Sequence, residues 1–318
     1  MNNFEYARAR SIDGAIQLSN ADSRFLAGGI DLLGEMKEYI VSPRRLVDLK
    51  SVPGLDQIDT SARVWKLGAN VTIADLARNE QIIATLPGLA EAAAEVGSPQ
   101  IRNVATLGGN LAQHSRCWYY RHRDLHCLKR GGSTCYAREG ENKYHSLFTG
   151  NPCISPVVSN LAIILAALDA TVHVRRGDKE VPLTIGELYA EAWNNPLAHN
   201  SLEPKDLIVS VDIPIQKNRS TYLQVSEKSD FDWALVSCSA AGQFSGNRWS
   251  DVAVFLGAVA PVPYRIESAL LQSGDLSSHS IESVVDSISA KAVPLSQNRY
   301  KIPIARALVR RVLTRLIS

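Results

Sequence analysis

Four of the chain's five cysteines, Cys117, Cys127, Cys135 and Cys153, fall in one segment, with nine, seven and seventeen residues between them. Thiolates are soft ligands, and four together satisfy either a tetrahedral zinc ion or a cubane iron–sulfur cluster. The spacing lacks the paired C-x2-C knuckles of structural zinc sites and the compact ferredoxin run, so metal ligation is expected without the metal being decided. The surrounding loop is basic and aromatic, with Arg116, Trp118, Tyr119, Tyr120, Arg121, Arg123, Lys129 and Arg130. A tetrathiolate cluster carries net negative charge, which nearby cations and N–H groups stabilise. His114, His122 and His126 are expected at the surface, each also able to stand in as a ligand. Cys238, between "LVS" and "SAA", reads as a small core residue.

Two glycine pairs, "AGGID" (27–31) and "TLGGN" (106–110), each follow an apolar stretch. Glycine permits positive φ and close backbone approach, and successive N–H groups in such a turn form an anion nest. A helix starting just beyond adds its positive dipole end, so the two loops could cradle a pyrophosphate from both sides. Neither is a Rossmann G-x-G-x-x-G or a Walker loop. Spacing alone leaves ordinary tight turns as the alternative.

The elements that must position these loops follow from the pattern. "FEYARA" reads as a strand, Ser11 as a helix N-cap, and "RFLAGGIDLLGEMKEYI" as strand, turn and a helix with Leu32, Leu33, Met36 and Ile40 on one side. "ARVWKLG" is a strand before a helix capped by Thr72 with Asp75 three residues on. A helix over Leu89–Val96 leads into an irregular glycine-rich crossing, then the cysteine loop at about 115–153, then a buried helix and strand over 159–175. From about 216, strands alternate with helices up to "IPIARALVRRVLTRLI". With 318 residues, 45% hydrophobic and 21% charged, the chain suffices for two or three compact units. A net charge of +2 gives no electrostatic footprint for nucleic acid. No signal-like leader and no run of about 18 apolar residues is visible, so no membrane span and a cytoplasmic location are expected. There, thiols stay reduced. No general-base or nucleophile constellation stands out.

"FLAGGIDLL", "IRNVATLGGNLA", "ISPVVSNLAIILAALDA", "ALVSCSAA" and "GAVAPVPYRIE" occur in the order found in the FAD-binding medium subunits of the xanthine dehydrogenase, or molybdenum hydroxylase, family. The resemblance spans roughly residues 3 to 315. The cysteine loop is similar to that of the subgroup whose flavin subunit carries an extra [4Fe–4S] cluster, which includes the aldehyde oxidoreductase FAD subunit and the 4-hydroxybenzoyl-CoA reductase β subunit.

The resemblance implies an α+β fold: a two-lobed FAD-binding domain of the vanillyl-alcohol-oxidase/PCMH type over residues 1–215, followed by a small α+β domain over 216–318. The lobes would be about 1–55 and 56–215, with the iron–sulfur loop at about 115–153. It implies FAD held by Arg24, Phe25, Leu26, Ala27, Gly28, Gly29, Ile30, Asp31 and Leu32 on one side and by Thr106, Gly109 and Asn110 on the other. Asn160, Leu207 and Lys228 would lie near the flavin, and Cys117, Cys127, Cys135 and Cys153 would ligate the [4Fe–4S] cluster. Ile30 stands where the family has Thr or Ser, Asn160 where it commonly has Asp, and Gln224 where Lys is common. Losing a hydrogen bond to a charged group costs about 1.5–3 kcal/mol, which weakens FAD binding without abolishing it. The implied function is electron transfer in an FAD-dependent oxidoreductase. Partners would be a molybdenum-cofactor large subunit, a [2Fe–2S] small subunit and an external electron acceptor or donor. The alternatives are a non-redox assembly subunit that has lost FAD and binds zinc or nothing, a flavin reductase acting without partners, and co-export to the periplasm with a signal-bearing partner.

Overall fold

The computed structural model describes residues 1–245, 248–275 and 278–317. Near the N-terminus, strands Glu5–Arg8 and Ser23–Leu26 flank Arg45–Asp48 in a parallel three-stranded sheet. Ser11 caps the intervening helix Ile12–Leu18 by accepting the Gly14 N–H at 3.0 Å. Ala15, Val47, Leu49 and Val52 form this unit's small core, joined by Leu207 and Val209 from the next sheet.

The second sheet is antiparallel, in the order Ile58–Asp59, Val64–Gly68, Leu207–Pro214, Thr171–Arg176 and Lys179–Thr184. Thr72 caps helix Ile73–Arg78 as its spacing to Asp75 predicts, accepting the Asp75 N–H at 3.1 Å. Helix Asn160–Ala167 is buried on nearly every side, as a helix apolar all round must be. It packs on the short helices of residues 73–112 in the largest apolar core.

Strands Tyr264–Arg265, Arg248–Gly257, Ala234–Ser245 and Arg219–Ser226 build a third sheet, with Ser273–Asp275 paired beside Arg248–Gly257. Helices Ser278–Lys291 and Lys301–Ile317 belong with this sheet, through a core in which Val284, Leu308 and Val312 meet Val236, Cys238 and Val254. Cys238 is fully buried, as its apolar flanks suggest. Leu147 and Phe148, at the end of the cysteine loop, join the same core. No helix among the described residues is long and apolar enough to cross a membrane.

Two expectations change. The glycine-rich crossing is not irregular throughout: Leu107–Ala112 is a helix capped by Thr106, with Gly108 and Gly109 in its first turn. Glycine is a poor helix former, but a Cβ at Gly108 would lie 2.9 Å from the Ala69 Cβ, so Gly108 lets the helix lie close against the chain at Ala69. The buried side chains of helix Leu32–Lys37 are Glu35 and Met36 rather than an apolar stripe alone.

Candidate functional site

The two glycine loops meet. A Cβ on Gly28 would overlap the Val104 carbonyl oxygen, so glycine here serves loop-to-loop contact. Gly29, at φ 74°, turns the chain in a conformation that favours glycine, and helix Leu32–Lys37 follows. Between the loops runs a cleft of about 420 Å³, within the range of small-molecule sites. All nine residues from Arg24 to Leu32 line it, as do Thr106, Gly109, Asn110, Asn160 and Leu207. Ile30, 45% exposed, adds an apolar surface to the cleft. Lys228 is exposed and is not brought to the cleft. Phe231, Asp232 and Trp233, a few residues farther along that loop, line it instead.

Local bonding limits what each lining residue can offer. The Thr106 hydroxyl accepts the Gly109 N–H at 3.2 Å and keeps its own proton to donate. Asn110 Oδ1 accepts the Ser159 hydroxyl at 2.6 Å, which ties this loop to helix Asn160–Ala167. The Asn160 amide donates to Tyr222 Oη at 2.9 Å and to Gln224 Oε1 at 2.8 Å, while Gln224 donates to Glu95 at 3.0 Å. Asn160 and Gln224, two of the three departures noted in the sequence, are therefore bonded to each other.

Asp31 connects the cleft to the cysteine loop. It pairs with Arg116 and, at 2.7 Å, with Arg121, and it accepts the His114 N–H at 2.7 Å. Burial opposes its ionisation, but the two guanidinium groups and the N–H outweigh it and hold the carboxyl below its ordinary value. Glu35, 1% exposed, accepts the Tyr120 hydroxyl at 2.7 Å and lies 3.0 Å from His114 Nδ1. The His114 ring stacks on His199 with centroids 4.0 Å apart. Its position is thus half-buried in a network, not at a free surface. The ligand atoms of Asp31, Glu35 and His114 fall within 4.8 Å of one another. Both carboxylates already have guanidinium or hydroxyl partners, so the cluster reads as an ion-pair network and not as a metal site.

The four loop cysteines line one cavity, together with Lys129, Tyr120, His145 and Ser155. Cys127 and Cys153 are buried, and Cys117 and Cys135 are half-buried. Burial pushes the Cys117 thiol up to about 12, against the pull of the Tyr120 and Tyr119 N–H groups. Cys153 is also raised by burial, opposed by Lys129 and the Ser155 N–H. Lys129, only 8% exposed, donates to the Ala198 carbonyl at 2.7 Å and is a buried cation beside four thiols. His145 Nε2 lies 3.2 Å from Cys117 Sγ, and burial followed by Lys301 holds its ring at about 4. None of the stand-in ligands expected from sequence, His114, His122 and His126, lines the cavity, whereas His145, not singled out there, does.

Residues 2–216 match the family model described as FAD binding domain in molybdopterin dehydrogenase, and residues 221–316 match the CO dehydrogenase flavoprotein C-terminal domain. The chain belongs to this FAD-binding family. Among its relatives, the aldehyde oxidoreductase FAD-binding subunit PaoB of Escherichia coli K12 is 34% identical over 296 residues, covering 92% of this chain and 90% of its own. The carbon monoxide dehydrogenase medium chain of Hydrogenophaga pseudoflava is 26% identical over 321 residues, covering 98% and 96%. In structure, carbon monoxide dehydrogenase from the same organism superposes with a TM-score of 0.78 at 22% identity over 99% of this chain and 97% of that one. Quinoline 2-oxidoreductase from Pseudomonas putida 86 gives 0.76 at 21% identity, covering 99% and 97%. These likenesses carry the two-part α+β fold.

The residues that sequence reasoning missed are Glu35, Tyr120, Arg121 and His199 as one network. A charged residue on an otherwise apolar helix face was the signal available for Glu35. Its partners lie about 80 residues away in sequence, where no local pattern reaches.

Proposed function

We propose that this chain is the electron-transferring flavoprotein subunit of a heteromeric molybdenum-containing oxidoreductase, holding FAD in the cleft and a [4Fe–4S] cluster in the cysteine cavity. The observation that carries this reading is the convergence of the four loop cysteines on one cavity with a buried lysine, joined through residues 113–117 to the cleft of an FAD-binding family member. Bound FAD supplies one-electron exchange with clusters and two-electron exchange with an external acceptor or donor, while a cluster supplies single electrons.

Four thiols lining one cavity beside a buried lysine are a donor set that suits a tetrathiolate cluster. Lys129 offsets part of the cluster's negative charge, and the Tyr119, Tyr120 and Ser155 N–H groups are directed at sulfur.

In the cleft, the chain between Arg24 and Leu32 holds one side of the FAD pyrophosphate and the Thr106 hydroxyl donates from the other. Asn160 spends both amide hydrogens on Tyr222 and Gln224, so it offers the flavin its Oδ1 acceptor. Leu207, in the cleft wall, would lie near the flavin. A large molybdenum-cofactor subunit and a [2Fe–2S] subunit are the partners, in keeping with the medium-chain and subunit names of the relatives.

The test is an anaerobic visible spectrum with iron, sulfide and flavin assays on the protein purified with its partners. Flavin bands, with iron beyond what two [2Fe–2S] clusters hold, are expected. Cys127→Ser removes only the excess iron. A colourless chain with neither would leave an assembly subunit.

A further inference from the structure

Three separate strands of connection join the cysteine cavity to the cleft. In the first, residues 113–117 run from one to the other: Gln113, His114 and Arg116 line the cleft, and Cys117 lines the cavity. In the second, Arg121, in the turn after Cys117, reaches back with Nη2 to Asp31 at 2.7 Å and with Nε to the Ser115 carbonyl at 2.7 Å. It lines neither site. In the third, residues 198–200 repeat the link on the opposite wall. The Ala198 carbonyl accepts from Lys129 in the cavity, His199 accepts the Ser115 N–H at 3.1 Å, and Asn200 lines the cleft.

The segment that makes these links has little structure of its own. Between residues 115 and 153 the only regular elements are the one-turn helix Trp118–Arg121 and the 3-10 turn Leu128–Arg130. Its four thiols and Lys129 face one another across the cavity, so bringing a ligand group to all four sulfurs ties limbs of the loop that no sheet joins. Ordering the loop then fixes Arg116 and Arg121, and these fix Asp31 in the first glycine loop. A binding event that orders groups already needed by a second ligand lowers the ordering cost of that second event.

Resting on the reading of FAD and a four-thiolate cluster given above, we infer that the two sites bind cooperatively, with Arg121 as the positioning residue that couples them through Asp31. Occupancy of the cysteine cavity strengthens FAD binding, and by linkage FAD strengthens cluster retention by the same factor. Arg121 contributes no atom to either site.

The decisive experiment titrates the deflavinated full-length chain with FAD anaerobically, once with the cluster reconstituted and once stripped of iron and sulfide. An FAD dissociation constant lower by about 5–150-fold in the cluster-loaded form is expected. Arg121→Gln should reduce that ratio severalfold while both cofactors still bind, Arg116 keeping the remainder through Asp31, and Arg121→Lys, which restores a cation, should recover part of it. With the cluster's own absorption subtracted, the bound-flavin bands should differ between loaded and stripped wild-type protein and differ less in Arg121→Gln. Equal FAD affinity with and without the cluster overturns the inference. An undiminished ratio in Arg121→Gln overturns the role of Arg121. A wild-type chain that takes up neither cofactor overturns the functional reading itself, and with it this coupling. Should Arg121→Gln not fold, the wild-type comparison decides whether the sites are coupled.

Discussion

Gly28 sets how closely the two loops of the cleft approach. Alanine there would force the Val104 carbonyl away, at a cost of about 1–3 kcal/mol in overpacking. Gly34, six residues on in helix Leu32–Lys37, is the opposite case: a methyl group added there would meet nothing within 4 Å. Gly34→Ala should raise stability by about 0.5–1 kcal/mol, so calorimetry should find the two substitutions opposite in sign. His199 makes a pH-dependent contribution. The Ser115 N–H points at its Nδ1, so the neutral ring carries its proton on Nε2 and a second proton would face a donor. Burial chiefly, then His114, holds the ring well below its ordinary 6.5. As pH falls through 6.5 the unfolded chain takes up a proton that the folded chain refuses, so stability declines from about pH 6.5 downward. Tm should therefore fall between pH 7 and pH 5.5, and less steeply in His199→Gln. His145, held near 4 by burial and Lys301, keeps some slope in that variant. An identical slope in wild type and variant would count against His199.

The cap of helix Leu107–Ala112 is the element whose loss should be felt in the cleft. Thr106→Ala removes the acceptor of the Gly109 N–H and should cost about 1 kcal/mol. Thr106→Ser, which keeps the hydroxyl, should cost little. FAD retention should follow the same order. How legible the elements were depended on the range of the forces that make them. The caps at Ser11 and Thr72 are written within four residues of sequence, and the structure has both. The helix after Thr106 was not legible because its two glycines oppose it locally, while contact with Ala69, far back in the chain, holds it. The candidate site divides in the same way. The residues around both glycine pairs and all four loop cysteines could be read from sequence as candidates, and each set lines a single cavity. The Asp31–Arg121 and His114–His199 contacts join positions about 90 residues apart, so no motif announces them. Lys228 failed for the opposite reason. The resemblance to the family suggested a basic residue near the flavin at this position, but Phe231 and Trp233 line the cleft instead.

Across the whole molecule, Lys301 fastens the cysteine loop to the C-terminal sheet and its helices. Its buried ammonium, pulled down to about 7 by burial, donates to the carbonyls of Tyr144, His145 and Ala258 at 3.0, 3.0 and 2.8 Å. Asn298 adds bonds to the His145 and Ser146 carbonyls. Lys301→Met keeps the bulk and leaves three buried acceptors without this donor, so a loss of at least about 2–3 kcal/mol is expected. Limited proteolysis should then cut first within residues 115–153, and iron should be lost before flavin. Cleavage elsewhere would mean that the loop does not depend on this anchor. The same anchor has a consequence for synthesis. Lys301 lies 148 residues after Cys153 in the sequence, and strand Leu207–Pro214, the partner of Val64–Gly68, also follows the loop. At about 5–20 residues per second on the ribosome, all four thiols are translated about 7–30 s before the residue that anchors the far end of their loop. On the cluster reading proposed above, insertion has its easiest access on the nascent chain, and slowing translation after residue 153 should raise the fraction of molecules that acquire iron.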